Sequence, residues 1–327
     1  MRAVAITDHG NMFGAIQHYL ACKDADIAPI IGCEVNVARE QEGMGRNLAV
    51  DHLVLLAKDE PGYKNLVEIV SAGQVSPASD VAPSVTLAKV AEHAQGLIAL
   101  TGCLGGVVAQ RILEQGQDAG FALLDGLRSI FEPGHLFIEL QDHGFPEQPV
   151  LNGILGEAAR KLGLPVVATN DVHYLRREDA EAQLYLSCVQ TGRTYAEAKS
   201  SHHGSEEMYL KSAEEMERLF RHHPGALSNT LLVAEMCQGF KLNLGKPMLP
   251  DFQVPEGFDT AGYFAHQARE GLERRFAEFR TLGKVVDEAA YRERLETEIR
   301  VIQQMGFSGY FLIVWDFIRY AKENGIP

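Results

Sequence analysis

Residues 2–15 read RAVAITDHGNMFGA, and the way this stretch leaves its apolar run decides what kind of fold the chain builds. RAVAI has the length and side chains of a buried strand. A helical pattern follows over Met12–Asp26, with Phe13, Ile16, Tyr19 and Leu20 at helical spacing. A doubly wound dinucleotide-binding sheet would place G-x-G-x-x-G at this first strand-to-helix turn. Here the turn carries Thr7, Asp8 and His9 instead, an acid beside an imidazole. In β/α barrels the carboxyl ends of the strands collect the reacting groups at one face. The turn therefore favours a β/α barrel.

The next segments repeat the same alternation. IIGCEVNV (30–37), HLVLLA (52–57), GLIALT (96–101), HLFIEL (135–140) and LPVVAT (164–169) read as strands. Helical patterns occupy 62–72, 84–95, 105–116, 117–131 and 149–162, so the spacing predicts parallel β/α units. Beyond about residue 175 the pattern is mainly helical, with a capping-box start, SAEE, at Ser212. LGKPMLPDFQVPEGFD (244–259) reads as a linker. Three helical stretches follow it, the last strongly apolar. The expected organisation is a barrel domain over 1–245, then a linker and helical segment over 246–327.

Composition sets wider bounds. The chain has 327 residues, 46% hydrophobic and 23% charged, enough to bury a full core. Its net charge of −14 argues against attraction of the whole surface to nucleic acid. An acidic pocket can still handle phosphate once metal cations reverse its local sign. No apolar run reaches the roughly 18 residues of a membrane span, and the N-terminus lacks a signal-peptide pattern. The cysteines, 5 in number, form no C-x-x-C pair, so free thiols in a reducing cytoplasm are expected.

Chemically distinctive residues sit around the strand ends: Asp8 and His9, Glu34, His52, Cys103, and Asp171 with His173 in NDVH. Imidazole and thiolate suit zinc, and carboxylates also suit manganese or magnesium. In an extended segment, residues two apart point the same way, so Asp171 and His173 can converge on one ion. Each residue alone has a plainer reading. Asp8 could cap a helix, His9 could be a bonded core histidine, and Cys103 a small buried hydrophobe. His52 could be satisfied by backbone at a strand edge. Glu34 resists such a reading, because a buried carboxylate without a partner is costly. Together they point to a polynuclear metal site. QDHG (141–144) also follows a strand, which makes Asp142 and His143 candidate substrate contacts at the same mouth. Clustered cations suit phosphate ester hydrolysis; an amidohydrolase-like reaction is the second reading.

AITDHGNMFGA, GCEVNV, DHLVLLAKD, TGCLGG and ATNDVHYL together resemble the polymerase and histidinol phosphatase (PHP) domain. The form is similar to that of bacterial DNA polymerase III alpha subunits, and LETEIRVIQQMGFSGYFLIVWDFIRYAKENGIP is similar to the start of their palm region. The resemblance implies a distorted TIM-like barrel holding up to three divalent ions (Zn, Mn or Mg). By motif, its ligands would be His9, Glu34, His52, Cys103, Asp171 and His173, with Asp8 a supporting partner of His9 or a helix cap. It further implies a metal-dependent 3′–5′ proofreading exonuclease within a DNA-directed DNA polymerase. The implied partners are DNA, a sliding clamp and a dedicated proofreading subunit, with no membrane. The family's domain normally opens with an earlier H-x-H strand and continues into palm carboxylates. Neither occurs here, so the sequence reads as truncated at both ends, without its own polymerase site and with weakened metal affinity. The basic residues of 269–300 alternate with acids and read as a solvated helix face.

Overall fold

The computed structural model describes residues 1–39, 48–200, 205–223, 225–245 and 250–326. Parts of the linker (246–249) and the pair His202–His203, whose polar context reads as a solvated loop, lie outside the described residues. The chain divides into two compact units, Met1–Leu242 and Asn243–Pro327.

The first unit is built on a six-stranded sheet whose spatial order follows the sequence, β1 to β6. β1 (Ala3–Ile6), α1 (Ala15–Asp24), β2 (Ala28–Ala38) and β3 (Val50–Ala57) open it. α2 (Glu60–Val75), α3 (Leu87–Glu92), β4 (Leu97–Leu100), α4 (Val107–Gln115) and α5 (Gln117–Ile130) follow. β5 (Leu136–Leu140), α6 (Glu147–Leu162) and β6 (Val166–Ala168) complete the sheet. Helices α7 (Ala180–Thr191), α8 (Tyr195–Lys199), α9 (Ala213–Phe220) and α10 (Ser228–Met236) come last.

The fold is α/β with the sequential strand order of a distorted barrel, but the expectation of an all-parallel sheet needs correction. β1/β2, β4/β5 and β5/β6 are parallel, whereas β2/β3 and β3/β4 are antiparallel. The stretch from Ala38 to Val50 is too short for the helical crossover that a parallel pair requires. Between β3 and β4 stand two helices rather than one, which return the chain to the end it left.

Side-chain alternation along the strands makes two layers. The outward set, including Cys33, Val35, Leu53, Leu55, Ala99 and Ile138, packs with Leu66, Ile112, Leu124 and Leu155 of the surrounding helices. The inward set, Ile30, Val54, Leu56, Ile98, Phe137 and Val167, forms a second apolar cluster, joined by Val233 of α10 and by Cys237 just after it. Continuing the same inward parity, Glu34 follows Ile30, His52 precedes Val54, and Glu139 follows Phe137. The barrel interior thus has an apolar floor and a polar rim at one end.

Of the expected apolar stripe on α1, Tyr19 is buried, whereas Phe13, Ile16 and Leu20 are exposed. Ala15 and Tyr19 pack with Ile31 and Phe240, so the buried face is turned away from Phe13, Ile16 and Leu20.

The second unit comprises α11 (Thr260–Thr281), α12 (Glu288–Gln304) and α13 (Ser308–Glu323) around Phe264, Ala265, Ile299 and Leu312. Its arginines are matched locally. Arg269 pairs with Glu296, Arg280 with Glu288, Arg292 with Glu273, and Arg294 with Glu298, all largely exposed. Such surface pairs contribute little stability and leave little free positive charge for DNA. No single described helix is long and apolar enough to cross a membrane.

Candidate metal centre

The pairing of β1, β2 and β3 sets the first candidate ligands through the backbone. The Glu34 amide donates to the Asp8 carbonyl (3.1 Å), and the Gly10 amide to the Glu34 carbonyl (2.8 Å). This parallel bridge carries the β1/β2 pairing past Ile6 and sets His9 beside Glu34. The His52 amide donates to the Gly105 carbonyl (2.8 Å), which ties the TGCLGG loop to β3 and brings Cys103 to His52. Gly106 must lack a side chain, since a Cβ there would collide with the Thr101 carbonyl.

All six predicted ligands come together, in two groups. His9, Asp171 and His173 offer ligand atoms within 4.8 Å of one another, and Glu34, His52 and Cys103 do the same. Glu34 links the groups: its Oε1 lies 2.9 Å from His52 Nδ1 and 3.6 Å from His9 Nε2. His52 Nδ1 is also 3.4 Å from Cys103 Sγ. The rings of His9 and His173 meet edge-on with centroids 5.6 Å apart.

The Asp171–His173 convergence has a different origin from strand alternation. β6 ends at Ala168, and Asp171 sits at φ +45°, in the left-handed region that costs a non-glycine residue about 1–2 kcal/mol. This turn puts His173 Nδ1 2.8 Å from the Asp171 carbonyl and 3.6 Å from its carboxylate.

Protons hold the second group in its metal-free form. Burial acts to raise the Glu34 carboxyl, but the His52 hydrogen bond and the nearby imidazoles hold it below its ordinary value. Burial opposes a charged His52, yet its bonds to Cys103 and Glu34 push it up to about 10. Burial raises the Cys103 thiol, with His52 opposing. A metal ion entering this group displaces protons from His52 and Cys103, so binding weakens as pH falls.

Of the remaining sequence candidates, Asp8 makes no capping hydrogen bond to α1, whose N-cap is Gly14. Its backbone carbonyl does the positioning, taking the Glu34 amide and the Cys33 thiol. Asp142 closes a turn by accepting from the Gly144 amide (3.1 Å). His143 is buried, and both ring nitrogens are engaged by protein. Nε2 donates to the Asn170 carbonyl (3.0 Å) and Nδ1 accepts from the Gln148 amide (3.2 Å). It also lines the smaller cavity beside the two groups.

Glu139 was missed. It lies beneath the ligands, accepting from Thr169 Oγ1 (2.5 Å) and the Gly102 amide (2.9 Å). Its signal was the same as that of Glu34, a lone acid in an apolar strand, HLFIEL. Burial pushes its carboxyl up from 4.5 to about 7, the charges of Asp171 and Glu34 adding to this and the Thr169 and Gly102 bonds opposing. A carboxyl that prefers its proton when folded stabilises the fold below its unfolded pKa, and that stability is lost as pH rises through about 7. The shift corresponds to about 3 kcal/mol. In chelator-treated protein, Glu139→Gln should match the unaltered chain near pH 5 and exceed it by up to about 3 kcal/mol near pH 8.5. Urea unfolding at both pH values checks this; equal differences at the two would refute it.

Two cavities, about 440 and 700 Å³, share His9, Glu34, Asp171 and His173. Gln141 lines both, and its buried Oε1 has no hydrogen-bond partner among the described residues, while its amide nitrogen faces Thr169 and Glu139. An unpaired buried acceptor beside two three-ligand groups fits a site built for hydrated cations.

Residues 1–143 match the PHP domain family, and residues 262–327 match the family described as bacterial DNA polymerase III alpha NTPase domain. The chain is 40% identical to DNA polymerase III subunit alpha of Borreliella burgdorferi, with 100% of this chain and 28% of that protein covered. The Treponema pallidum subunit alpha is 39% identical over 99% of this chain and 27% of its own length. That of Thermus aquaticus is 36% identical over 99% of this chain and 31% of its own. The chain thus spans less than a third of the length of these relatives. A PHP domain match containing the first four ligands, and alignment to these subunits along the whole chain, lead to one conclusion: the chain belongs to the bacterial DNA polymerase III alpha-subunit family.

Proposed function

We propose that the barrel unit is a metal-dependent phosphoesterase that removes nucleotides from the 3′ end of a DNA strand. In this reading it works within a polymerase III alpha subunit. The observation that carries the reading is the joining of two three-ligand groups through one carboxylate, Glu34. Divalent cations bound there would supply Lewis acidity to a phosphodiester and a water made nucleophilic near neutral pH.

The chain's own residues do the rest. Glu34, held ionised between imidazoles, sets the spacing of the two groups. Leu104, Leu113, Phe145 and Met208 wall the smaller cavity, giving a strand end an apolar surface beside the ligands. Glu139 and Thr169 fix the Gln141 amide, so its free carbonyl is available to a donor from water or substrate.

In this reading DNA synthesis, a sliding clamp and a separate proofreading subunit belong to the complete protein. Residues 246–327 are then a linker and the start of its palm. The test follows stepwise shortening of a 5′-labelled single strand in manganese, which reports release from its 3′ end. His173→Ala should reduce release by more than about 100-fold, beyond the usual cost of losing an outer-shell partner, and chelator should abolish it. Release that survives His173→Ala intact would exclude this site as its source.

A further inference from the structure

The strained turn at Asp171 is held from behind by a residue that no ligand pattern contains. Lys211 is nearly buried, its side chain only 3% exposed. Its ammonium donates to Asn170 Oδ1 (3.1 Å) and to the Glu207 carbonyl, lies 3.3 Å from the Glu207 carboxylate, and sits over the Tyr209 ring at 4.4 Å. Asn170, next to Asp171, is thereby fixed on every polar atom of its side chain. Its Nδ2 donates to the carbonyls of Glu207 (3.2 Å) and Tyr209 (2.6 Å), and its own carbonyl accepts from His143. The His173 amide donates to the Met208 carbonyl (2.9 Å), so the same segment grips both sides of Asp171.

A buried ammonium is costly unless its hydrogen bonds are satisfied, and this one is satisfied where it immobilises a ligand-bearing turn. We propose that Lys211 is a positioning residue: through Asn170 it holds Asp171 in its left-handed conformation and so preorganises the His9–Asp171–His173 group for a divalent cation. The Glu34–His52–Cys103 group hangs from β2, β3 and the TGCLGG loop, and receives nothing from Lys211. The clamp rests on the metal-site reading above and selects between its two halves. Left-handed backbone at a non-glycine residue persists only where its surroundings over-determine it, and Lys211 and His143 are those surroundings here.

Cobalt(II) separates the two groups, because thiolate ligation gives a near-ultraviolet charge-transfer band that only the group with Cys103 can produce. Lys211→Met keeps the stem against Tyr209 and deletes the ammonium. Its total cobalt binding by calorimetry should show one class of ion weakened about 10–100-fold, while the thiolate band titrates as in the unaltered chain. Lys211→Gln, which retains an N–H donor, should recover most of the loss. If Lys211→Met does not fold, Lys211→Gln carries the same comparison, with a smaller selective weakening expected. Parallel weakening at both groups, or none at either, overturns the clamp and leaves the metal reading standing. An unaltered chain that binds no cobalt sinks the metal reading, and the clamp with it.

Discussion

Glu34→Ala is expected to remove tight metal binding from both groups at once, whereas His173→Ala removes it from one. The reason is the position of a single oxygen. Glu34 Oε1 lies 2.9 Å from His52 Nδ1 and 3.6 Å from His9 Nε2, so one carboxylate serves two neighbouring ligand sets. Deleting it leaves His9 and His52 without the anion between them. The remaining His52–Cys103 pair is then too few ligands for the four-coordinate shell that zinc prefers. Relative to the unaltered chain, affinity at both groups should fall by more than about 100-fold, more than an outer-shell loss would give. Metal content after gel filtration, compared among the unaltered chain, Glu34→Ala and His173→Ala, reads this directly. Equal stoichiometry in the two variants would mean that Glu34 serves one group only.

Phe137→Ala should cost about 3–5 kcal/mol of folding stability, the range for an aromatic core truncation. Phe137 is 0% exposed and lies at the centre of the inward apolar layer, among Ile98, Leu100 and Val167. β4 and β6 flank it in the sheet, so the void left by the ring is walled by packed strand residues. β5 also carries Glu139, one inward position nearer the ligands. Truncating Phe13, which is 88% exposed, should change stability by no more than about 0.5 kcal/mol. Urea midpoints for the two variants test the pair. A loss below about 1 kcal/mol for Phe137→Ala would mean that the inner layer repacks freely.

The same contrast shows where the sequence was readable. Phe13 and Tyr19 were read as one apolar stripe at helical spacing, and the positions of Ile31 and Phe240 bury Tyr19 and leave Phe13 exposed. Strand positions were legible because continuous apolar runs leave few alternatives. Strand direction was not, since direction depends on how far each connection carries the chain. Glu139 and Glu34 gave the same local signal, a lone acid in an apolar strand, but only Glu34 was weighed as a buried carboxylate in need of a partner. Lys211, in EEMYLKSAEE, has no local mark at all; its burial arises from a turn more than forty residues earlier in the chain.

The sequence by itself determined the alternation of strands and helices, the absence of a glycine-rich phosphate loop, and six residues with metal-ligand chemistry. Those are properties of side-chain type and spacing, which short-range sterics and hydrophobic periodicity express directly. The tertiary structure alone decided that the six divide into two groups joined by Glu34. It also decided that two strand pairs run antiparallel, and that Asp171 reaches its partner through a left-handed turn braced by Asn170 and Lys211. Each of these depends on distances between residues far apart in the chain, which packing and hydrogen bonding fix only once the sheet has assembled on its core.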